Sequence, residues 1–387
     1  MREIVRAGDD GPAKPSAAAL LAAMRHHRVG GPFWLGDGAR GGKDASVPWA
    51  DASGTAICAA DDPDTLMRGI SGRQVTTRGD GPFARLSDLI PGSRETDAVV
   101  LALVQTYLLD GVVYESPFTG DPISPLQLIE ILSAWRGLID ENRPIAAAFG
   151  FAACKQDTVA PLLWAGQSVP FLPARPDLLA GIPASASVAV WKARVPAPFL
   201  EMLETGPWRV VEIEDGFIRS AGLGADCVPP LSIVMDDMGV HYDPARTNRL
   251  EQRLAKGDFS QDDLARAAHL RRWLVEEGIS KYHVGSSAAL ARPGGERRHI
   301  LVTGQVEDDR SVLFGGGEVR TNLELLRCVR AAAPNAYIIY RPHPDVEAGH
   351  RKGAIPLHVA QQFADMVDPG RSISALIAMA DEVHVIT

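Results

Sequence analysis

The chain has 387 residues, 46% of them hydrophobic and 22% charged, which is the composition of a globular protein long enough for several domains with their own cores. A formal charge of −9 excludes a nucleic-acid-coating surface, so any anionic ligand must be met by local cations rather than by a global field. Four scattered cysteines, Cys58, Cys154, Cys227 and Cys328, form no CxxC pair; they exclude a disulfide framework and a thiolate zinc site and read as reduced cytosolic thiols.

The opening MREIVRAGDDGPAKPS lacks an apolar signal core, and no 18-residue apolar run follows, so neither an export signal nor a membrane span is expected. Residues 1–95 are rich in Gly, Asp and Ala. Their clearest elements are a helix around PSAAALLAAMRHH and short strands at GPFWLG and GTAICA. Helical spacing of apolar residues then runs through TDAVVLALVQTYLL and SPLQLIEILSAWRGLIDENR, separated by the turn-rich ESPFTGDPISP. Pro125 suits the first turn of the second helix, with Ser124 as its cap.

From residue 143 short strands alternate with helices. IAAAFGF, VPFLP, SVAVWK and RVVEIE are strand candidates, and their rhythm predicts a parallel α/β sheet. LSIVMDDMGVHYD reads as a hairpin turning at MDDMG. SQDDLARAAHLRRWLVEEGISKY is a helix capped by Ser260 and closed by Gly278, and RPGGERR reads as an interdomain linker. A second unit follows: strand HILVTG, helix NLELLRCVRAAAP, strand AYIIYR, the turn PHPDVEAGH and a final strand ADEVHVIT. That last strand has no helix after it to cover its face, so this unit is expected to be incomplete at Thr387.

Three strand ends carry the candidate chemistry. Glu214 and Asp215 close RVVEIED before Gly216, at the edge of an open sheet where ligands bind; an acidic turn is the competing reading. Arg219, four residues on, suits either an ion pair with Asp215 or an anionic ligand. Glu307, Asp308 and Asp309 follow HILVTG, and three adjacent carboxylates fit an Mg²⁺ site, a nucleophile with acid–base neighbours, or a solvated loop. Arg341 and His343, in a turn stiffened by Pro342 and Pro344, offer donors to a phosphate. Lys281 faces a cleft or simply ends a helix, and no histidine pair has metal-ligand spacing.

EDGFIRSAGLGADCVPPLSIVMDD, GISKY, GQVEDDRS, NLELLR and YRPHPDVEAGHRKGAIP together resemble the bacterial capsule polysaccharide β-Kdo transferases. These capsule biosynthesis and export proteins add 3-deoxy-D-manno-oct-2-ulosonic acid (Kdo) to a lipid-linked glycan. The resemblance spans about 143–387 and is nearer to the second of two tandem transferase modules. Residues 96–142 resemble the helical segment joining the modules, and residues 1–95 match no full first module.

The resemblance implies an α/β fold with a GT-B-like pair of Rossmann-type domains, preceded by a small α/β region and a helical linker. The expected boundaries are 1–95, 96–142, an acceptor-side domain at 143–297 and a CMP-sugar-binding domain at 298–387. It implies CMP-Kdo as donor and retention of configuration by double displacement. The family's nucleophile position falls on Asp309. Glu307 and Asp308 would shape the local field or bind hydroxyls, and Glu214 or Asp215 would be the base. His343, aided by Arg341, would stabilise the departing CMP, with Arg219 and Lys281 in substrate binding. No metal or other cofactor is implied. The implied partners are the lipid-linked Kdo-containing glycan and, peripherally, the inner membrane and capsule assembly and export proteins. The location implied is cytoplasmic or peripheral at that membrane. The alternative is a catalytically inactive capsule assembly or export subunit that keeps the fold.

Overall fold

A computed structural model describes residues 12–35, 49, 55–282 and 292–387; the opening MREIVRAGDDG lies outside them. The chain divides into two compact units. One runs to Pro144 and takes in Leu163–Ser168, and the other holds Ile145–Leu162 and Val169–Thr387.

In the first unit, helix α1 (Ala17–His27) starts at Ser16, whose Oγ accepts the N–H of Ala19 at 3.1 Å. Strand β1 (Ala56–Ala59), helix α2 (Pro63–Ile70) and strand β2 (Val75–Arg78) make one parallel βαβ turn. Helix α3 (Arg94–Val104) packs Val100, Leu103 and Val104 into a core with Leu20, Leu21 and Met24 of α1. Strands β3 (Tyr114–Glu115) and β4 (Pro122–Ile123) pair antiparallel within the turn-rich stretch. Helix α4 (Pro125–Asn142) opens on a reciprocal cap, Gln127 N–H to Ser124 Oγ at 3.2 Å and Ser124 N–H to Gln127 Oε1 at 2.9 Å. The strand expected at GPFWLG does not form. Gly30 and Gly31 take φ of 113° and 59°, and the N–H of Phe33 turns back onto the carbonyl of Gly31 at 2.8 Å.

The second unit contains two sheets. The first takes β5 (Ile145–Phe149), β6 (Phe171–Leu172), β7 (Ser187–Val190), β8 (Arg209–Asp215) and β9 (Ile233–Asp236) in the order β6-β5-β7-β8-β9. Helices α5 (Ala153–Val159) and α6 (Ala197–Thr205) lie in its connections, and Phe199 and Leu203 of α6 pack on Ala147, Phe149, Val188 and Val190. The first four strands are parallel as expected; β9 is antiparallel, with Asp215 opposite Ile233. LSIVMDDMGVHYD is therefore one strand paired with β8 rather than a hairpin. Buried Asp236 accounts for the difference. Its carboxylate accepts the N–H groups of Met238 (2.9 Å), Gly239 (3.3 Å) and Arg249 (2.7 Å), turning the chain toward helix α7 (Arg249–Lys256) instead of back along the sheet. Helix α8 (Gln261–Glu276) is capped by Ser260 and followed by Gly278 at φ 63°.

The second sheet contains β10 (His299–Thr303), β11 (Tyr337–Arg341), β12 (Met366–Val367) and β13 (Glu382–His384), all parallel, in the order β12-β11-β10-β13. Helix α9 (Arg310–Gly315) follows β10, α10 (Asn322–Ala332) leads to β11, and α11 (Pro344–Glu347) follows it. Ile300, Val302, Ile338 and Tyr340 pack on Leu325, Leu326 and Val329 of α10, while Leu301 and Ile339 meet Leu376 and Met379 on the other face. Burial on both faces is why HILV and YIIY are continuous apolar runs rather than alternating ones. RPGGERR is fastened down rather than loose: Arg292 pairs with Asp381, and Arg297 with Asp365 at 2.9 Å. Among the described residues no helix is long and apolar enough to cross a membrane.

Candidate active site

Strand β8 delivers Glu214 and Asp215 to its C-terminal end with different environments. Asp215 lies between two cations, Lys155 Nζ at 3.3 Å and Arg219 Nε at 2.8 Å. Lys155 also sits 3.5 Å from the ring centroid of Trp191; burial pushes its pKa down, and Asp215 partly restores it. Arg219 is only 1% exposed, and its Nη1 donates to Ser220 Oγ (2.7 Å) and the Val228 carbonyl (2.8 Å). Glu214 has weaker partners: the Asp215 N–H at 3.1 Å and the Tyr242 hydroxyl at 3.4 Å. Burial pushes its carboxyl above the ordinary glutamate value. Buried Glu212 fixes the loop carrying Tyr242, pairing with Lys192 at 3.0 Å and accepting the Val240 N–H at 3.2 Å. Gly216 is required where the chain leaves β8, because a Cβ there would fall 2.0 Å from Ser232 Oγ.

Strand β10 feeds a loop, residues 304–309, that is held by a side chain outside it. Asn322, 1% exposed at the start of α10, accepts the Gln305 N–H at 2.8 Å and donates to the carbonyls of Gln305 (2.8 Å) and Gly353 (2.9 Å). Its own N–H reaches Glu307 Oε1 at 2.8 Å. The loop ends at Asp309, the N-cap of α9, whose Oδ1 accepts the N–H (3.0 Å) and hydroxyl (2.8 Å) of Ser311. Its Oδ2 lies 3.8 Å from Arg351 Nη2, which also reaches Asp308 Oδ1 at 3.2 Å.

The turn after β11 approaches this loop because residue 304 is glycine; a Cβ there would stand 2.9 Å from the Tyr340 hydroxyl and 3.1 Å from the His343 nitrogen. His343 Nδ1 accepts the Asp345 N–H at 3.1 Å, so the neutral ring carries its proton on Nε2. Burial lowers its pKa, which favours that neutral form, a hydrogen-bond donor rather than a cation.

Glu214, Asp215, Arg219, Lys281, Asp309 and His343 line one cleft of about 1280 Å³. The segment carrying Lys281 is stitched to the β8 loop: its carbonyl accepts the N–H groups of Arg219 (2.9 Å) and Ser220 (3.1 Å). Glu307, Asp308 and Arg341 are not among the residues that line it. Arg341 is buried and donates to the carbonyls of Arg371 (3.0 Å) and Pro342 (2.7 Å), bracing the turn beneath His343. Lys155, Trp191, Tyr242 and Arg351 line the cleft without having been singled out in the sequence. Lys155 reaches Asp215 across 60 residues, which no local pattern encodes. Among the described residues no three His, Cys, Asp or Glu side chains gather as metal ligands. The cleft thus combines a buried carboxyl with a raised pKa, a helix-capping carboxylate and a neutral imidazole donor, a set suited to proton transfer and carboxylate attack.

A family model describing capsule polysaccharide biosynthesis proteins matches residues 204–288 and 282–387. Capsule polysaccharide modification protein LipA of Neisseria meningitidis serogroup A is 35% identical over 310 residues, 80% of this chain and 44% of LipA. Lipopolysaccharide-processing protein LpsZ of Rhizobium meliloti is 38% identical over 183 residues, 46% of this chain and 41% of LpsZ. The chain therefore spans less than half the length of these relatives. The solved structure of Thermosulfurimonas dismutans KpsC, a beta Kdo 2,4 transferase, matches with a TM-score of 0.50 at 23% identity, covering 62% of this chain and 74% of that one. This likeness supports a two-sheet, Rossmann-like arrangement of the GT-B type.

Proposed function

We propose that this chain, which the model of capsule polysaccharide biosynthesis proteins matches through residues 204–387, transfers Kdo from CMP-Kdo to a lipid-linked, Kdo-containing glycan with retention of configuration. The observation that carries this reading is that one cleft holds Glu214 from the first sheet together with Asp309 and His343 from the second. In the first step Asp309 Oδ2 bonds to the anomeric carbon as the bond to the CMP phosphate oxygen breaks, its electron pair leaving with CMP. Nε2–H of His343 donates to that phosphate oxygen. In the second step the acceptor oxygen attacks the same carbon, its proton passes to Glu214, and Asp309 departs as a carboxylate. Glu214 suits the base role better than Asp215, whose oxygens face Lys155 and Arg219. A lipid-linked acceptor places the reaction at the inner-membrane surface, beside capsule assembly and export proteins.

The test is to incubate the protein with CMP-Kdo, with and without a Kdo-ended acceptor. Multiple-turnover CMP release that depends on the acceptor is expected. Without acceptor, mass spectrometry should find Kdo on the tryptic peptide 299–310. An adduct on the peptide holding Asp215 would move the nucleophile there, and inverted product would overturn double displacement.

A further inference from the structure

Double displacement on an ulosonic acid raises an electrostatic problem. The anomeric carbon of Kdo bears a carboxylate, so an attacking Asp309 brings one anion against another, with Asp308 adding a third. Like charges at contact repel strongly once water is displaced, and the approach needs a cation between them. Of the cations lining the cleft, Arg351 alone among the described residues has a nitrogen within 4 Å of Asp309, at 3.8 Å. Among the others, Lys155 and Arg219 flank Asp215, Lys281 acts on Glu214 and His343, and Arg310 lies 5.3 Å from the ring of Phe314.

Resting on the transferase reading above, we propose that Arg351 is the receptor for the carboxylate of the donor sugar and selects 2-keto sugar acids over neutral sugars. Asp308 takes Nε at 3.2 Å and shares Nη2 with Asp309, which leaves the Nη1 edge of the guanidinium for the ligand. Arg351 keeps a side-chain exposure of 36%, so a ligand in the cleft reaches it. Its backbone is fixed from both sides. The Asp345 carbonyl accepts the N–H of Arg351 at 3.2 Å, and the Glu307 N–H donates to the neighbouring Lys352 carbonyl at 3.1 Å. The loop with the nucleophile and the loop with the receptor therefore move as one piece. The Arg351 guanidinium presents its Nη1 N–H donors to the ligand carboxylate in a fixed plane, which a freely rotating ammonium does not reproduce.

The test uses the full chain and two probes, the methyl β-glycoside of Kdo and its C1 carboxamide, titrated by calorimetry or saturation-transfer NMR. Wild type should bind the acid at least ~10-fold more tightly than the amide. R351Q should bind both alike, and R351K should recover part of the preference. CMP affinity and melting temperature should match wild type in both variants. Equal binding of acid and amide by wild type, no binding of the acid, or an intact preference in R351Q would each overturn the assignment. A parallel CMP-Kdo transfer assay separates the two readings. Acid preference without transfer would remove only the transferase, and transfer without acid preference would remove only this role of Arg351.

Discussion

Replacing Asp309 separates chemistry from architecture, because the structure gives its two oxygens different work. Oδ1 caps α9 through Ser311, and Oδ2 points to the side where Arg351 lies. Asparagine keeps a capping oxygen and loses the nucleophile; alanine loses both. Asp309→Asn should lower transfer by more than about 10³-fold while leaving stability within a few tenths of a kcal/mol. Asp309→Ala should be equally inactive and less stable by about 1 kcal/mol, the usual worth of a cap. In a folding unit of this size that is about 2–4 °C in melting temperature. Acceptor-dependent CMP release and thermal melting of the three proteins check both halves. An asparagine variant keeping more than about a tenth of the activity would refute the nucleophile, since no carboxylate would remain at that position. An alanine variant as stable as wild type would refute the cap.

Glu214→Gln should abolish most transfer and the acidic limb of the pH profile, which should lie above the ordinary glutamate value of 4.5. The native state holds that proton to higher pH than the unfolded chain does, so stability falls as pH rises from 4.5 through the raised native pKa. Melting curves between pH 4.5 and 8 should therefore show wild type losing ground to the glutamine variant as pH increases; parallel curves would contradict the burial argument. Asp215→Asn should destabilise by about 2–3 kcal/mol in urea titrations, by leaving Arg219 buried without its counter-ion. The figure sits low because Asp215 retains 21% exposure, and a cost below about 0.5 kcal/mol would show that the pair is not structural.

The parts of the fold that could be read from sequence are those whose signal is local. Runs such as HILV and YIIY announce strands buried on both faces, and Ser124 and Ser260 announce helix starts through their own hydroxyls. The errors arose where a side chain outside the pattern decided the path. Asp236 gathers three backbone N–H groups and ends a strand that otherwise looks like half a hairpin. In the cleft, Glu214, Asp215, Asp309 and His343 are legible because each lies at or beyond the C-terminal end of a strand, where an open α/β sheet exposes its ligands. Lys155, Trp191 and Tyr242 were invisible because only folding brings them beside β8. Arg341 was conspicuous in RPHPD, yet burial gives its guanidinium backbone partners. A sequence shows that an arginine is present; it does not show which way the fork turns.

The side chain of Asn322 imitates a peptide group, meeting both the N–H and the carbonyl of Gln305 while also closing on Gly353. Loops ordinarily fluctuate more than the elements they connect. Here the coordinates of Asp309 are referenced to a helix whose Leu325, Leu326 and Val329 are locked in the core, so the loop inherits the positional noise of packed structure. Its tolerance to sequence change is set accordingly. Residues between the anchors can vary in chemistry without displacing the carboxylate, whereas a volume error of one methylene under α10, far from any substrate, would move it.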